Sequence, residues 1–396
     1  MSFHQKADFY VLNSCSVTAN ANKKGRNAIA RAHALNPDAV IIVTGCYAQL
    51  KPDEVAAQPG VNYVFGVNNK AEIEGIIEEA LNSSKFVSQT PHNEMKTFFP
   101  AFSYGDRTRA FLKVQDGCDY FCAYCTIPYA RGRSRNQSIA ECVSQTELLA
   151  RDGMKEVVIS GVNIGDFGKS TGETFFDLLV ALVKVDGIER FRIGSIEPNL
   201  LTDEMIQLVA NEPKIMPHFH IPLQVGSDEL LKLIGRRYDT ALYRHKIELI
   251  KKLIPDAFIG IDLIVGVNGE TPELFEETVK FVNSLEISFI HHFQYSEREN
   301  TRALKFTPRV TSVQKKERAD IVTEISNRKH KQFVESQLGR TYNVLFESTR
   351  KNGKMFGFTD NYIKVAVDYD KSLINQIKQV RIVDIIDEEC VSAELL

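Results

Sequence analysis

The sequence predicts an α/β protein built around a partial (β/α)6 TIM-like barrel, with a small α/β domain before it and a small β-barrel after it. Short apolar runs alternate with helical patterns through the first 90 residues, and the same alternation restarts at Arg109. The C-terminal region holds short β-rich runs separated by turns. These changes predict four segments: an N-terminal domain 1–90, a linker 91–108, the barrel 109–335 and a terminal domain 336–396.

The N-terminal segment alternates in the way that is typical of a small parallel α/β unit. Its predicted elements, in order, are a strand at Phe9–Leu12, a helix at Ala19–Leu35, strands at Val40–Val43 and Tyr63–Phe65, and a helix at Lys70–Leu81. Residues from Ser83 to Asp106 are rich in Ser, Thr, Pro and aromatics without a period, which favours a linker.

Six strands are predicted for the barrel, at 109–114, 156–160, 190–196, 217–223, 257–265 and 287–295. Ser138 is a candidate cap for a helix that runs to Arg151, and Thr271-Pro272 opens a second helix. Parallel strands place their carboxyl ends at one edge of a barrel, where chemistry is usually located. Polar residues that follow these strands are therefore the first candidates for a site.

Composition limits the class of protein. The chain has 396 residues, 43% of them hydrophobic and 25% charged, which is ordinary for a globular protein with two or three domains. No apolar run approaches the roughly 18 residues needed to span a bilayer, and the N-terminus lacks a signal-peptide pattern, so we expect a cytoplasmic protein without a membrane partner. Net charge is -3, but residues 301–354 are basic, which suits phosphate contacts or, equally well, a solvated helix face.

Three cysteines, Cys118, Cys122 and Cys125, have the spacing C-x3-C-x2-C on one short loop after the first barrel strand. Thiolates at this spacing are suited to three irons of a 4Fe-4S cluster and leave the fourth iron open. A zinc site would need a fourth ligand, and His92 lacks ligand-pair spacing. A disulfide framework is disfavoured because seven cysteines in this chain are sparse and odd in number.

The cysteine loop, with the aromatic Tyr124 before its last cysteine, resembles the radical S-adenosylmethionine (SAM) enzymes. Four further features resemble the methylthiotransferases of that superfamily: Ala110–Cys118, Ile127–Arg133, Tyr295–Arg298 with Thr301 and Ala303, and the terminal β-barrel. The stretch Lys113–Asp119 is similar to the branch that acts on N6-threonylcarbamoyladenosine beside the tRNA anticodon, which predicts a tRNA methylthiotransferase.

The resemblance implies that SAM binds the open iron and contacts residues at the barrel strand ends. The implied cofactor-binding residues are Tyr124, Gly161, Asn163, Ser195, Glu197, Gln224 and Val265. It also implies that one SAM methylates a sulfur held at an auxiliary 4Fe-4S cluster, and that a second SAM yields a 5'-deoxyadenosyl radical that acts on adenine C2. The implied partners are the tRNA anticodon stem-loop and an electron donor such as flavodoxin or ferredoxin.

The resemblance is incomplete at the front of the chain. The family's auxiliary cluster takes three N-terminal cysteines, and matching contexts are present only for Cys15 and Cys46. The first ligand would lie upstream of Met1, so we expect a truncated, incomplete flavodoxin-like N-terminal domain. Packed strand-end cysteines are the simpler alternative for this pair.

Two rival functions stay open at this stage. A ribosomal-protein methylthiotransferase would need an acidic terminal barrel, which the basic segment 301–354 disfavours. An RNA-binding radical SAM protein without a complete auxiliary cluster would keep Cys118, Cys122 and Cys125 but insert no sulfur.

Overall fold

A computed structural model describes residues 5–79, 86–103 and 108–396. The strands in these ranges are β1 Phe9–Ser14, β2 Val40–Gly45, β3 Val61–Phe65, β4 Phe86–Ser88, β5 Ala101–Ser103, β6 Arg109–Lys113, β7 Gln115–Asp116, β8 Arg135–Asn136, β9 Glu156–Ser160, β10 Arg190–Ile193, β11 His218–His220, β12 Phe258–Val265, β13 Phe289–Gln294, β14 Thr341–Lys351, β15 Lys354–Thr359, β16 Lys364–Asp368, β17 Ile377–Ile385 and β18 Cys390–Leu395.

The α-helices in the same ranges are α1 Ala19–Leu35, α2 Cys46–Leu50, α3 Pro52–Ala56, α4 Glu72–Glu79, α5 Ile127–Arg131, α6 Ile139–Arg151, α7 Phe175–Leu182, α8 Asp203–Asn211, α9 Asp228–Ile234, α10 Thr240–Leu253, α11 Pro272–Ser284 and α12 Ser312–Glu335. The predicted helix end at Leu81 and both ends of the stretch rich in Ser, Thr and Pro, Ser83 and Asp106, lie outside the described residues. In the described residues, no helix is long and apolar enough to cross a bilayer.

The chain forms two compact units. Unit 1 comprises Met1–Phe99, Gly117–Arg135 and Ser296–Phe306. Unit 2 comprises Pro100–Asp116, Asn136–Tyr295 and Thr307–Leu396. The cysteine loop and the segment around Arg298 therefore belong to the same compact unit as the N-terminal α/β region, although they are far apart in sequence.

Unit 1 is built on a parallel sheet with strand order β1-β2-β3-β4. Helix α1 begins after Thr18, whose side chain accepts a hydrogen bond from the Ala21 amide at 3.1 Å and so satisfies one unpaired donor of the first turn. Ile29 of this helix packs in a core with Ile41 and Val43 of β2. The predicted alternation of strands and helices is confirmed in this unit.

Unit 2 contains all six predicted barrel strands, which form two mostly parallel sheets, β10-β9-β6-β5 and β11-β12-β13. Parallel bridges between Phe191 and Ile215 and between Ser195 and His220 connect β10 to the second sheet. The strand β5 pairs antiparallel to β6 and comes from the segment predicted as a linker. Ser138 and Glu141 form a capping box at the start of α6, as the sequence predicts.

The C-terminal region of unit 2 is a closed barrel with strand order β14-β15-β16-β18-β17. Four of its strands match the β-rich runs in the sequence. The fifth, β18 Cys390–Leu395, is not among those runs. It closes the barrel because it pairs with both β16 and β17; Val391 belongs to the barrel's hydrophobic core, and Cys390 is also buried.

Candidate active site

The cysteine loop of unit 1 is shaped by two residues with left-handed backbone. Gly117 has φ of 74°, and a Cβ atom at this position would lie 2.0 Å from the Arg133 carbonyl oxygen, so only glycine fits. Phe121 has φ of 50°. The Cys118 amide donates to the Gly132 carbonyl at 3.1 Å. The loop is therefore folded tightly against the segment that follows it.

The thiols of Cys118 and Cys125 are partly exposed, whereas Cys122 is buried. The Cys125 amide donates to the Cys122 carbonyl at 3.0 Å, which forms a tight turn between the last two cysteines. The Ile127 amide donates to the Cys125 sulfur at 3.4 Å, an arrangement that stabilises a thiolate. Tyr124 is half-buried within the same loop. Three thiols of one loop, one of them with a backbone N–H donor, suit iron–sulfur ligation.

Residues 301–305 brace the outer side of the cysteine loop. The Ala303 amide donates to the Ala123 carbonyl at 2.9 Å, and Arg302 Nη2 donates to the Phe121 carbonyl at 3.1 Å. These two bonds satisfy carbonyls on either side of Cys122. The motif around Thr301 and Ala303, which resembles the methylthiotransferases, thus supports the loop through its backbone.

The arginines after the cysteine loop have different surroundings. Arg133 lies 3.6 Å from the Asp119 carboxylate and is mostly exposed. Arg135 is buried and donates to the carbonyls of Thr97 at 2.8 Å and Arg131 at 2.6 Å. These bonds give Arg135 a structural role, whereas Arg133 stays open to solvent.

Cys15 and Cys46 directly follow the ends of two neighbouring strands. Strands β1 and β2 are parallel, and Ser14 is the register partner of Gly45, so the two cysteines leave the same edge of the sheet at the same level. Gly45 has φ of 96°, and a Cβ atom there would lie 2.3 Å from the Ser14 carbonyl oxygen. Cys15 is exposed and Cys46 is buried.

Arg298 holds the segment that contains Cys15. Its Nη2 atom donates to the Ser16 carbonyl at 2.5 Å, to the Ser16 hydroxyl at 2.7 Å and to the Asn22 side-chain oxygen at 3.2 Å. The sequence motif Tyr295–Arg298 contains this residue, but periodicity and spacing gave no indication of its partner. One guanidinium therefore fixes the turn between Cys15 and α1.

In the described ranges, no three His, Cys, Asp or Glu side chains are gathered around one point as ligands of a single metal ion. A 4Fe-4S cluster does not require such a cluster of side chains, because each cysteine binds a different iron.

At the strand ends of unit 2, Asn163 and Gly161 follow β9. The amide of Asn163 donates to the Gln115 side-chain oxygen at 2.8 Å, and its Nδ2 donates to Asp166 at 3.0 Å. Its Oδ1 is buried without a hydrogen-bond partner. At Gly161 a Cβ would lie 2.8 Å from the side chain of Ile164, so the chain is close-packed there.

Glu197 and Ser195 follow β10. Glu197 forms an ion pair with Arg236, and both side chains are largely buried. Burial raises the pKa of Glu197, and the Arg236 guanidinium opposes this effect. Nothing in the spacing of the sequence predicts that Arg236 neutralises Glu197. Any role of Glu197 toward a ligand amine has to compete with this ion pair.

Gln224 and Val265 lie at the ends of neighbouring strands. Gln224 has φ of 69°, its amide donates to the Asp262 carbonyl at 2.8 Å, and its carbonyl accepts from the Ile264 amide at 2.7 Å. Val265 is fully buried, and its carbonyl accepts from the Tyr295 amide at 2.9 Å. The Val265 side chain is therefore part of the core, and Val265 can contact a cofactor only through its backbone atoms.

Three family models match the chain. The Radical SAM superfamily covers residues 112–282, the Uncharacterized protein family UPF0004 covers residues 1–66, and the TRAM domain covers residues 335–386. The "Threonylcarbamoyladenosine tRNA methylthiotransferase MtaB" of Aquifex aeolicus is 37% identical over 92% of this chain and 88% of its own length. The chain belongs to the radical SAM methylthiotransferases.

Two more relatives show how the branches of the methylthiotransferases compare. The MtaB protein of Bacillus subtilis is 36% identical over 96% of the chain and 86% of its own length. The "tRNA-2-methylthio-N(6)-dimethylallyladenosine synthase" of Symbiobacterium thermophilum is 33% identical over 95% of the chain and 84% of its own length. The predicted family and its threonylcarbamoyladenosine branch are confirmed. The chain is a methylthio-transferring enzyme, and its terminal TRAM domain is of a kind that suggests RNA binding.

Solved structures support the fold of this methylthiotransferase. The radical SAM methyltransferase TsrM from Kitasatospora setae, with tryptophan substrate and a SAM analogue bound, has a TM-score of 0.56 at 16% identity. The match covers 73% of this chain and 63% of that chain. Together with the closed terminal barrel, it confirms the predicted fold class. Membership of the superfamily also implies a 4Fe-4S cluster and SAM.

His220 and Asp262 are two strand residues of unit 2 that the sequence did not single out for a site. His220 Nε2 lies 2.9 Å from Asp262 Oδ1, and its ring stacks on His291 with centroids 5.2 Å apart. The three residues are neighbours because β11, β12 and β13 are adjacent in the sheet, and this strand order could not be predicted from the sequence. The alternation of side chains along each strand was the signal available in the sequence.

Proposed function

We propose that the enzyme converts N6-threonylcarbamoyladenosine next to the tRNA anticodon into its 2-methylthio derivative. The observation that carries this substrate is the identity of 33–37% to four proteins named for that activity, over 90–98% of this chain. Proteins named for dimethylallyladenosine reach 31–33%. Because tRNA is cytoplasmic, we propose the same location for the enzyme.

Cys118, Cys122 and Cys125 are the proposed ligands of the radical SAM cluster. The cluster and SAM, when bound, supply the one-electron chemistry that cleaves an unactivated C–H bond. The chain's contribution is to hold the three thiolates. Gly117 permits the tight loop, and the Ile127 amide donates to the Cys125 sulfur. Partly exposed Cys118 and Cys125 leave one side of the loop accessible to SAM.

Cys15 and Cys46 are the proposed contributors to an auxiliary 4Fe-4S cluster that carries the sulfur. Their strands end in register, which supports a shared role, and Arg298 fixes the turn after Cys15. Both belong to unit 1 together with the cysteine loop. We propose Tyr124, Gly161, Asn163, Ser195, Glu197, Gln224 and Val265 as the SAM contacts, with Val265 acting through its backbone.

The terminal barrel and the basic segment 301–354 are the proposed contacts for the anticodon stem-loop, since Lys and Arg neutralise phosphates. Reduction of the radical SAM cluster needs a low-potential donor, for which we propose a flavodoxin or a ferredoxin. The donor is tested by replacing a chemical reductant with each protein and measuring SAM cleavage.

The substrate is tested by mass spectrometry of tRNA nucleosides from cells with and without the gene. We expect 2-methylthio-N6-threonylcarbamoyladenosine only when the gene is present, while the dimethylallyl counterpart stays constant. Complementation with a Cys122→Ala variant is the matched control and should leave the nucleoside absent. Equal amounts of the threonylcarbamoyl product with and without the gene would refute the proposed substrate.

A second experiment addresses the clusters. After anaerobic reconstitution, about eight irons per chain are expected if both clusters assemble, and about four if only the radical SAM cluster does. The count is compared with product formation on an anticodon stem-loop. Four irons combined with full product formation would contradict the auxiliary cluster.

A further inference from the structure

Unit 2 contains a buried charge cluster that the proposed reaction does not use. Glu156 is the first residue of β9, and its register partner Arg190 is the first residue of β10. Arg192 Nε lies 3.0 Å from Glu156 Oε1, and Arg190 Nη1 lies 3.8 Å from Glu156 Oε2. All three side chains are at most 3% exposed. Glu156 and Arg190 lie at the amino ends of their strands, opposite the edge at which TIM-like barrels carry chemistry.

Both arginines reach from the catalytic barrel to the backbone of the terminal barrel. Arg190 donates to the carbonyls of Phe358 at 3.1 Å and Asn343 at 2.8 Å. Arg192 donates to the carbonyl of Asp360 at 3.2 Å. Since a guanidinium presents its donors in a rigid fork, Arg190 fixes β14 and β15 relative to the catalytic barrel, and Arg192 fixes the start of the loop that follows β15.

The same loop inserts a ring beside the arginines. Tyr362 has φ of 69°, an uncommon conformation for a residue with a large side chain. Its ring lies 4.7 Å from the Arg192 guanidinium and 4.8 Å from the His218 ring. The neighbouring Asn361 is fully buried and donates to the Asp256 carbonyl at 3.0 Å. These contacts join the two barrels at a wall of a cavity of about 560 Å³.

Charge balance in this cluster depends on Glu156. Burial disfavours its ionisation, but Arg192, Arg190 and Arg109 outweigh burial and lower its pKa, so the carboxylate is charged at neutral pH. Arg109 has its own carboxylate partner, Glu347, at 3.0 Å. Without the Glu156 charge, two buried guanidiniums would repel each other and lose the acceptor that orients Arg192.

We propose that Glu156 is a positioning residue that acts through Arg190 and Arg192 to lock the terminal barrel onto the catalytic barrel. The lock sets where the RNA-binding domain holds the anticodon arm. This inference rests on the proposed function for its consequence in tRNA recognition, although the docking itself does not. Glu156 touches neither SAM nor the reacting atoms in this scheme.

The first test is Glu156→Gln, which keeps the shape of the side chain and removes its charge. We expect the KM for an anticodon stem-loop to rise about tenfold, as for loss of charge-assisted hydrogen bonds, with kcat changed less than twofold. SAM cleavage without RNA should stay at the wild-type rate. Amide hydrogen exchange should accelerate in residues 341–363 and stay unchanged in residues 258–265.

Two further variants keep the test decisive if Glu156→Gln fails to fold. Arg190→Lys preserves the charge beside Glu156 but cannot donate to both Phe358 and Asn343, so the same KM and exchange changes are expected in weaker form. Glu189→Gln is the matched control, because Glu189 is an exposed neighbour that pairs with Lys155 at 2.7 Å. It should behave as wild type in every measurement.

The lock is wrong if Glu156→Gln or Arg190→Lys folds and leaves both the KM and the exchange of residues 341–363 unchanged. It is equally wrong if Glu189→Gln raises the KM as much as they do. If the wild-type enzyme modifies no tRNA, the proposed function fails, and hydrogen exchange in the same variants then decides the docking by itself.

Discussion

The seven cysteines of the chain divide between the two units, and their surroundings differ. Unit 1 holds Cys15, Cys46, Cys118, Cys122 and Cys125, three of which are at least partly exposed. Unit 2 holds Cys142 and Cys390, which are both buried. Burial raises the pKa of Cys142 to about 12 and also raises the pKa of Cys390.

The difference teaches how a fold selects thiols for metal chemistry. In unit 1 the cysteines lie on the cysteine loop or at strand ends, and two of them, Cys118 and Cys46, directly follow glycines with positive φ, Gly117 and Gly45. These five thiols are the ones proposed as cluster ligands. In unit 2 Cys142 lies within α6 and accepts a hydrogen bond from Gln137 at 3.2 Å. Such a thiol stays protonated and acts as a small core residue.

The largest effect is expected from Cys122→Ala compared with Cys142→Ala. Loss of one of three ligands should prevent assembly of the radical SAM cluster, so SAM cleavage should fall at least about a thousandfold and iron should fall by about four per chain. Cys142→Ala should keep both, at a cost of roughly 1 kcal/mol in stability from the small cavity. The measurements are iron content and 5'-deoxyadenosine formation after anaerobic reconstitution.

If Cys142→Ala lost iron as Cys122→Ala does, the contrast between the units would not hold. Circular dichroism of both variants serves as the check on folding. A Cys122→Ala protein that retained SAM cleavage would remove Cys122 from the proposed ligand set.

Cys46→Ala tests whether the cysteines of unit 1 form two groups with separate roles. The proposed auxiliary cluster should be lost, so methylthio product should fall below detection while SAM cleavage by the Cys118, Cys122 and Cys125 cluster continues. Iron should fall from the wild-type value to about four per chain. Loss of SAM cleavage in a folded Cys46→Ala protein would show that the two groups of cysteines do not act separately.

The sequence predicted groups of cysteines that are close together along the chain better than groups that are far apart. The proposed ligands of the cysteine loop lie within eight residues, so spacing alone predicted Cys118, Cys122 and Cys125 as a set. Cys15 and Cys46 were grouped only by the family resemblance, and the register of β1 and β2, which brings their strand ends to the same level, was not predicted.

Pairings across larger distances were not predicted. Glu197 and Arg236 are separated by 39 residues, and Arg298 and Ser16 by 282. Long polar side chains carry no periodic signal that identifies a distant partner. The strand β18, which contains Cys390, was not predicted either, because it closes the barrel through pairing with β16 and β17.

Thiol labelling measures the contrast between the units directly. At pH 8 the buried Cys142 thiol, with a pKa of about 12, is only about one part in ten thousand thiolate, and the thiolate is the form that reacts. In iron-free protein under reducing conditions, iodoacetamide should modify exposed Cys15 at least about a thousandfold faster than Cys142. Peptide mass spectrometry gives both rates, and comparable rates would show that α6 does not protect Cys142.

The smallest expected effect is a pH dependence of stability that arises in unit 2. Burial, reinforced by Arg192, His220 and His291, lowers the pKa of His218 well below its ordinary value. The unfolded chain therefore binds a proton below about pH 6.5 while the folded chain does not, so stability is complete above that pH and is lost as the pH falls toward the folded pKa. At pH 5.5 the loss should be about 1.4 kcal/mol.

His218→Phe keeps the ring beside Phe258 and removes the titration, so its unfolding free energy should change less between pH 7.5 and pH 5.5 than that of the wild-type protein. His245→Phe is the control, because His245 is half-exposed and pairs with Asp203 at the surface. Denaturant unfolding of the three proteins at both pH values gives the difference. If His218→Phe loses as much stability as the wild type on acidification, the His218 imidazole does not contribute to the pH dependence of the unfolding free energy. The acid sensitivity of unit 2 then has to arise from its carboxylates.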